Sequence, residues 1–306
     1  MKKFILSSIL FISFLNHYLI TAQENQSLKV ISYNIWNGFD WGKDSDRKAL
    51  FIDWVNTQKP DVFALQELCG YTQEKLLVDA KKWGHNYAKI LKTSGYPVGI
   101  TSNNPIEVKE KILEGMHHGA LHCKVDGIDI FVIHFSPFSH QKRRREAKII
   151  ADKLAEFSKE QNKYLVLGDF NALSPFDAHL YKDRTWLLDE LKASEKEHDH
   201  VRNLLNDELE YGVIGSLLGV PLIDVTQKFT VTWEDRLSCP TQVFEVEKGK
   251  GPHKNATRID YILSSPFLAK KCINAKVLNK EETYYLSDHY PVLAEFDIIS
   301  DDSKAN

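Results

Sequence analysis

The sequence predicts an α/β protein made of two packed sheets, mixed or mainly antiparallel, with helices outside them. Strand-like apolar runs occur in both halves of the chain, some directly consecutive and others separated by helical patterns. A regular parallel βαβ array would not produce that mixture. No internal repeat or low-complexity linker interrupts residues 23–298, so a single domain is expected there, followed by a short polar tail over residues 299–306. At 306 residues, 43% hydrophobic and 26% charged, the chain can bury a full core.

The elements follow in order. MKKFILSSILFISFLNHYLITAQ opens with two lysines, continues as an apolar stretch from Phe4 to Leu15 and reaches small residues at Thr21 and Ala22. That is a secretory signal pattern with cleavage after Ala22, and its apolar run of about 12 residues is short of the roughly 20 that span a bilayer. A signal peptide over residues 1–22 and a secreted or periplasmic location are therefore expected. LKVISYNIW reads as a first strand carrying Asn34 at its end. DRKALFIDWVNTQ is helical, with Leu50, Trp54 and Val55 on its apolar side, and VFALQEL is a second strand ending at Glu67. Thr72 can cap a helix over QEKLLVDAKKW that Gly84 ends. YAKIL, PVGIT, GALHCKV and IDIFVIHF are strand-like, the last reaching His134. RRREAKIIADKLAEFSKEQ places Ala147, Ile150, Leu154 and Phe157 on one helical face. YLVLGDFN is a strand, residues 176–219 look mainly helical, and LIDVT, RIDYILSS, AKVLN and YPVLAEFDI supply later strands.

Chemistry collects at the strand ends, which carry Asn34, Glu67, His134, Asp169 with Asn171, Asp260, and Asp288 with His289. Residues two apart in an extended chain point the same way, so Asp169 and Asn171 face one pocket while Phe170 turns into the core. Gly168 before them permits a close backbone approach or an unusual dihedral. Oxygen ligands such as Asn34, Glu67 and Asp288 suit a hard cation, magnesium with manganese or calcium as alternatives, which would offset charge on a phosphoryl oxygen. Histidines move protons near neutral pH, and Asp260 beside an imidazole would set its tautomer and stabilise its cation. Hydrolysis of a phosphate ester fits this set.

The ordered motifs SYNIWNG, ALQEL, VIHFSP, LVLGDFNALSP, RIDYIL and LSDHYPV resemble the endonuclease/exonuclease/phosphatase superfamily, the DNase I-like fold, over nearly the whole chain after the leader. The resemblance implies a four-layer α-β-β-α sandwich with its site at one edge of the central sheets. It also implies Glu67 as the principal metal ligand, Asn34 nearby, and Asp288 as a further ligand or its orienter. Asp169 would orient or deprotonate the attacking water, Asn171 would donate to the phosphoryl group, and His289 paired with Asp260 would contact the scissile phosphate. His134 would protonate the leaving oxygen, although SGYPVGI lacks the carboxylate that partners this histidine in the pancreatic-type nuclease.

Charge narrows the substrate. The formal net charge of −3 becomes −5 without Lys2 and Lys3, so no overall basic charge advertises a phosphate polymer. The phosphate-ester substrate is therefore expected to be a small-molecule or lipid-headgroup phosphodiester. A secreted nuclease on DNA or RNA ranks second, a phosphomonoesterase third, and a catalytically silent binding protein last. The KRRR run at 142–145 is the one basic cluster that nucleic acid would use, and GVIGSLLGVPLI is apolar enough for transient contact with a membrane surface. No obligate protein partner is expected. EKEHDH at 195–200 reads as a solvated face, and His117 and His118 read as structural. Asn255-Ala-Thr257 is a formal glycosylation sequon. Cys69, Cys123, Cys239 and Cys272 lack metal spacing and allow three disulfide pairings or buried free thiols.

Overall fold

A computed structural model describes residues 27–157, 162–244 and 255–298 of the chain. The expected signal peptide and polar tail lie outside the described residues. The strands are β1 (Ser27–Asn34), β2 (Val62–Gln66), β3 (Tyr87–Ile90), β4 (Gly99–Ser102), β5 (Glu107–Ile112), β6 (Ala120–Val125), β7 (Ile128–His134), β8 (Tyr164–Asp169), β9 (Ile223–Asp224), β10 (Asp260–Ser264), β11 (Cys272–Val277) and β12 (Val292–Asp297). The helical segments are α1 (Trp36–Gly42), α2 (Ser45–Gln58), α3 (Gln73–Lys82), α4 (His140–Leu154), α5 (Ala178–Tyr181), α6 (Thr185–Glu197), α7 (Gly212–Gly219), α8 (Val225–Phe229) and α9 (Pro266–Lys271).

Two six-stranded sheets result, ordered β11-β12-β1-β2-β4-β3 and β5-β6-β7-β8-β10-β9. Each is antiparallel except for one central parallel pair, β1 with β2 and β7 with β8. Strand periodicity sorts the side chains into layers. Val30, Val62, Ala64, Ile130, Val132, Leu165, Leu167 and Ile262 point between the sheets and form the central core. Their alternate neighbours Ile31, Phe63 and Leu65 meet Phe51, Trp54 and Val55 of α2 and Leu76 of α3 on one outer face. On the other, Phe131, Ile133, Val166 and Leu263 meet Ala147 and Ile150 of α4 and Ile214 and Leu217 of α7. The architecture is the four-layer α-β-β-α sandwich that the motifs imply.

Several elements differ from the sequence expectation. Leu50 is exposed, and Phe51 takes its place on the buried face of α2. β5 escaped notice because it is an edge strand whose first five residues are exposed and mostly charged, without apolar alternation. LIDVT supplies only two strand residues before the Asp224 side chain caps α8. Ser139 caps α4, so the helix starts at His140, one turn before the arginine run, and ends at Leu154 rather than running on through 161. Residues 158–161 of that expected helix lie outside the described residues. GVIGSLLGVPLI is core rather than membrane-seeking surface, because Val213, Ile214, Leu217 and Leu222 are buried against the second sheet. All four cysteines are free. No helix among the described residues is long and apolar enough to cross a membrane.

Candidate active site

The register of the sheets explains why the polar residues meet. Asn34, Gln66, His134, Asp169 and Asp260 continue the inward-facing positions of β1, β2, β7, β8 and β10 to the edge where the apolar core stops. Asp260 comes from the start of its strand rather than the end, because β10 runs antiparallel to β8 and pairs Asp260 directly with Asp169. The parallel pairing of β7 with β8 aligns His134 with Asp169.

Gly168 is required by both possibilities raised for it. Its φ is +140°, and a Cβ there would lie 2.0 Å from the Ile133 carbonyl oxygen. Asn171 adopts φ +48° and donates its backbone N–H to Asp169 Oδ1 at 2.8 Å, an Asx-turn, while Phe170 is fully buried. The turn and the function coexist, since Asp169 and Asn171 both line the pocket. Asn171 also donates from Nδ2 to the Phe135 carbonyl at 3.1 Å.

The second polar strand end carries more strain. Glu67 has φ +59°, and Asn37 to Trp41 form a left-handed helical turn with φ from +51° to +60°. Such a turn costs about 1–2 kcal/mol per non-glycine residue. Arg47 offsets this by donating to the carbonyls of Ile35, Trp36 and Leu286 at 2.9, 3.0 and 3.1 Å, with its guanidinium over the Trp36 and Phe39 rings. The turn delivers the Asn37 N–H to Glu67 Oε2 at 2.7 Å. Strain of this kind persists where surrounding structure over-determines it, as at functional sites.

Asn34 links the two sheets by donating from Nδ2 to Glu67 Oε1 at 3.3 Å and to Asp169 Oδ2 at 3.2 Å. Its Oδ1 accepts from Trp36 N, so in this structure Asn34 spaces the two carboxylates. Ser287 donates to the Asn34 carbonyl at 2.6 Å and to Asp288 Oδ1 at 3.2 Å, which fixes Asp288 beside the end of β1. His289 Nδ1 lies 2.9 Å from Asp260 Oδ2, and its Nε2 lies 3.8 Å from Asp169 Oδ2. His134 Nε2 lies 3.4 Å from the same oxygen, and its buried Nδ1 has no hydrogen-bond partner among the described residues, so none of them supplies the carboxylate that SGYPVGI lacks.

Electrostatics separates these groups. Burial disfavours charge on His289, but Asp260, Cys239, Asp169 and Asp288 outweigh it and raise its pKa well above the ordinary value, leaving a cation at neutral pH. Burial pushes Asp169 up to about 7, with His289 opposing and Asp260 and Glu67 adding to the rise. Asp288 is pushed up to about 6 by burial and then Glu67, against the effect of His289. Burial and the neighbouring histidines depress His134 well below the ordinary imidazole value. The His134 ring is thus neutral at pH 7 where His289 is cationic. Asp169, Asp260 and His289 are close enough together to share a cation, yet a protonated imidazole has no lone pair to give. Glu67 and Asp288, hard oxygen donors that raise the charge cost of their neighbours, fit a divalent ion instead.

Glu67, His134, Asp169, Asn171, Asp288 and His289 line the floor of a pocket of about 490 Å³, and Asn34 and Asp260 hold them from behind. The pocket walls include Trp36, Lys92, Tyr96, His117, His118 and Phe138. The sequence did not single out Trp36, which lies within SYNIWNG at the start of α1, or Lys92, Tyr96 and Phe138, which come from loops. His117 and His118 belong to the wall rather than only to the scaffold, with His118 stacked on His134 at 4.2 Å. EKEHDH is largely exposed, as expected of a solvated face.

A sequence profile described as the endonuclease/exonuclease/phosphatase family matches residues 31–289. The chain belongs to this family. Its members are hydrolases of phosphate esters, and the fold above is that of the family. The chain has no significant match among curated proteins. Among solved structures it is similar to an AP endonuclease from Archaeoglobus fulgidus, with TM-score 0.64 and 20% identity over 89% of this chain and 100% of that one. A 3'-5' exonuclease (NExo) from Neisseria meningitidis gives 0.63 and 20% over 88% and 100%. TDP2 from D. rerio, complexed with single-strand DNA product, gives 0.59 and 16% over 89% and 99%.

Proposed function

We propose that the protein is a secreted, divalent-metal-dependent phosphodiesterase acting on a compact phosphodiester, a small molecule or lipid headgroup. The observation that carries the substrate class is the fate of the basic cluster. Lys142 donates to the Gly115 carbonyl, Arg143 is buried, and Arg144 pairs with Glu210 at 2.7 Å, which leaves Lys142 and Arg145 as the solvent-facing members without an ion pair among the described residues. Lys92 is the one lysine or arginine among the described residues lining the pocket. A polymer-binding groove needs several phosphate contacts, whereas a pocket with aromatic walls and one cation suits a single phosphodiester. The secreted location rests on the N-terminal sequence pattern alone.

In this reading Glu67 and Asp288 hold the cation, magnesium by preference, which supplies charge neutralisation at the phosphoryl oxygens. Asp169, poised near neutrality, accepts the proton of the attacking water and aligns it for in-line displacement. His289, held cationic by Asp260, donates to a phosphoryl oxygen and supplies the proton for departure. Asn171 presents its amide beside Asp169, and Asn34 keeps Glu67 and Asp169 apart. His134, stacked on His118, flanks Asp169.

The rival reading is a nuclease. It is favoured by the DNA-directed activities named for the similar solved structures and by aromatic walls on which bases could stack. Turnover of sphingomyelin, an aryl phosphodiester, duplex DNA and RNA, each with a chelator control and at two salt concentrations, separates the two. Chelator-sensitive, salt-tolerant cleavage of the small or lipid diesters is expected. Preferential cleavage of polymer that falls steeply with salt would establish the nuclease instead.

A further inference from the structure

A second cavity, of about 170 Å³, adjoins the first and shares Pro137 and Asn171 with it. Arg143 lines this cavity, together with Asn203 and apolar residues such as Leu187 and Leu191 of α6. Arg143 is 4% exposed. Its Nη1 donates to the Ser136 carbonyl at 2.9 Å and to Asn203 Oδ1 at 2.8 Å. Its buried Nε has no hydrogen-bond partner among the described residues.

Glu210, which also lines the cavity, Glu146 and Asp169 attract this charge through space, but none of them bonds the guanidinium. Glu146 accepts from the His117 and Ser136 backbone N–H groups, and Glu210 accepts from Arg144 and Gly212. Burying a guanidinium with no carboxylate in contact is costly, and an unsatisfied buried donor alone costs about 1–3 kcal/mol. Nη1 joins the Glu146 bond to the Ser136 N–H in fastening α4 to the loop after β7, and that structural task leaves the Nε edge of the guanidinium unused. That edge presents parallel N–H groups matched to two oxygens of a phosphate or carboxylate.

From the cavity and the unused edge of Arg143, we infer a second anion subsite beside the scissile position, which takes an additional oxyanion of the same substrate, a phosphate or carboxylate. Arg143 is the specificity residue of this subsite, and Leu187 and Leu191 shape its wall. The assignment rests on the phosphodiesterase reading for its substrate but not for its binding.

The test has a binding arm and a kinetic arm on the full chain. With chelator present, inorganic phosphate should raise the melting temperature of the wild-type protein, acetate should do so if a carboxylate suffices, and Arg143→Gln should lose the response. Leu191→Trp fills the cavity without touching the Arg143 bonds, so it should lose the response even if Arg143→Gln folds poorly. In turnover, both variants should raise KM at least about tenfold for a diester carrying a second phosphate. KM for bis(p-nitrophenyl) phosphate should stay unchanged. No stabilisation of the wild type by either ion, or an equal loss on both substrates, would overturn the subsite. Stabilisation without turnover of any diester would keep the subsite and sink the phosphodiesterase reading.

Discussion

A carboxylate as deeply buried as Asp169 ionises at neutral pH only because His289 and the Asn171 N–H oppose the cost of burial. The balance sets two expectations. Asp169→Asn removes the proton acceptor and His289→Ala removes the cation, so each should lower kcat by about 10²–10⁴ in steady-state turnover while the circular dichroism spectrum is unchanged. A cation held by Glu67 and Asp288 must also displace protons from raised carboxyls. Asp288 at about 6 and Asp169 at about 7 are increasingly protonated as pH falls from 7.5 to 5.5. Magnesium affinity measured by calorimetry should therefore weaken on acidification, with protons released on binding; a pH-independent affinity would contradict the assignment. Most floor residues were legible in the sequence because strand periodicity and motif order converge on them. Lys92, Tyr96 and Phe138 were not, since nothing local marks a loop residue as a pocket wall. The pairing of His134 with Asp169 was also hidden, because it arises from register between strands 35 residues apart in the chain, as the numbering of the two residues shows.

At the level of elements, the site depends on two backbone devices that no side-chain exchange reproduces. At Gly168 a Cβ would collide with the Ile133 carbonyl, and φ +140° is closed to other residues. Gly168→Ala should destabilise the protein by about 2–5 kcal/mol in denaturant melts, by strain and overpacking together. An equally stable variant would show that β8 can shift away from β7. The left-handed turn of α1 depends similarly on Gly38, which approaches the Cys69 backbone, and on Arg47 bonding the carbonyls around it. The glycine in LVLGDFN announced its role through the polar pair that follows it. The turn that begins in SYNIWNG did not, because seven successive residues with positive φ, Trp36 to Gly42, contradict local propensity and are imposed by tertiary contacts.

Across the whole molecule, the site lies where two sheets run out of apolar core together. Each sheet supplies part of it, Glu67 and Asn34 from one and His134, Asp169 and Asp260 from the other. Arg258, fully buried, bonds Asp177 and Asp224 at 2.7 and 2.6 Å and so leaves Asp260 free for His289, which removes a simple Arg258 pairing as the reason for that aspartate. The layer order was legible from the mixture of strand runs and from the ordered motifs. The membrane-seeking reading of GVIGSLLGVPLI failed because an apolar run looks alike whether it covers a core or a bilayer. The most direct test of the account is hydrolysis of an aryl phosphodiester by wild-type protein and Glu67→Gln, with magnesium and with chelator. The account predicts wild-type turnover that chelator abolishes and magnesium restores, and loss of at least about 10² in Glu67→Gln with the fold retained. Chelator-resistant turnover, or full activity in Glu67→Gln, would contradict it.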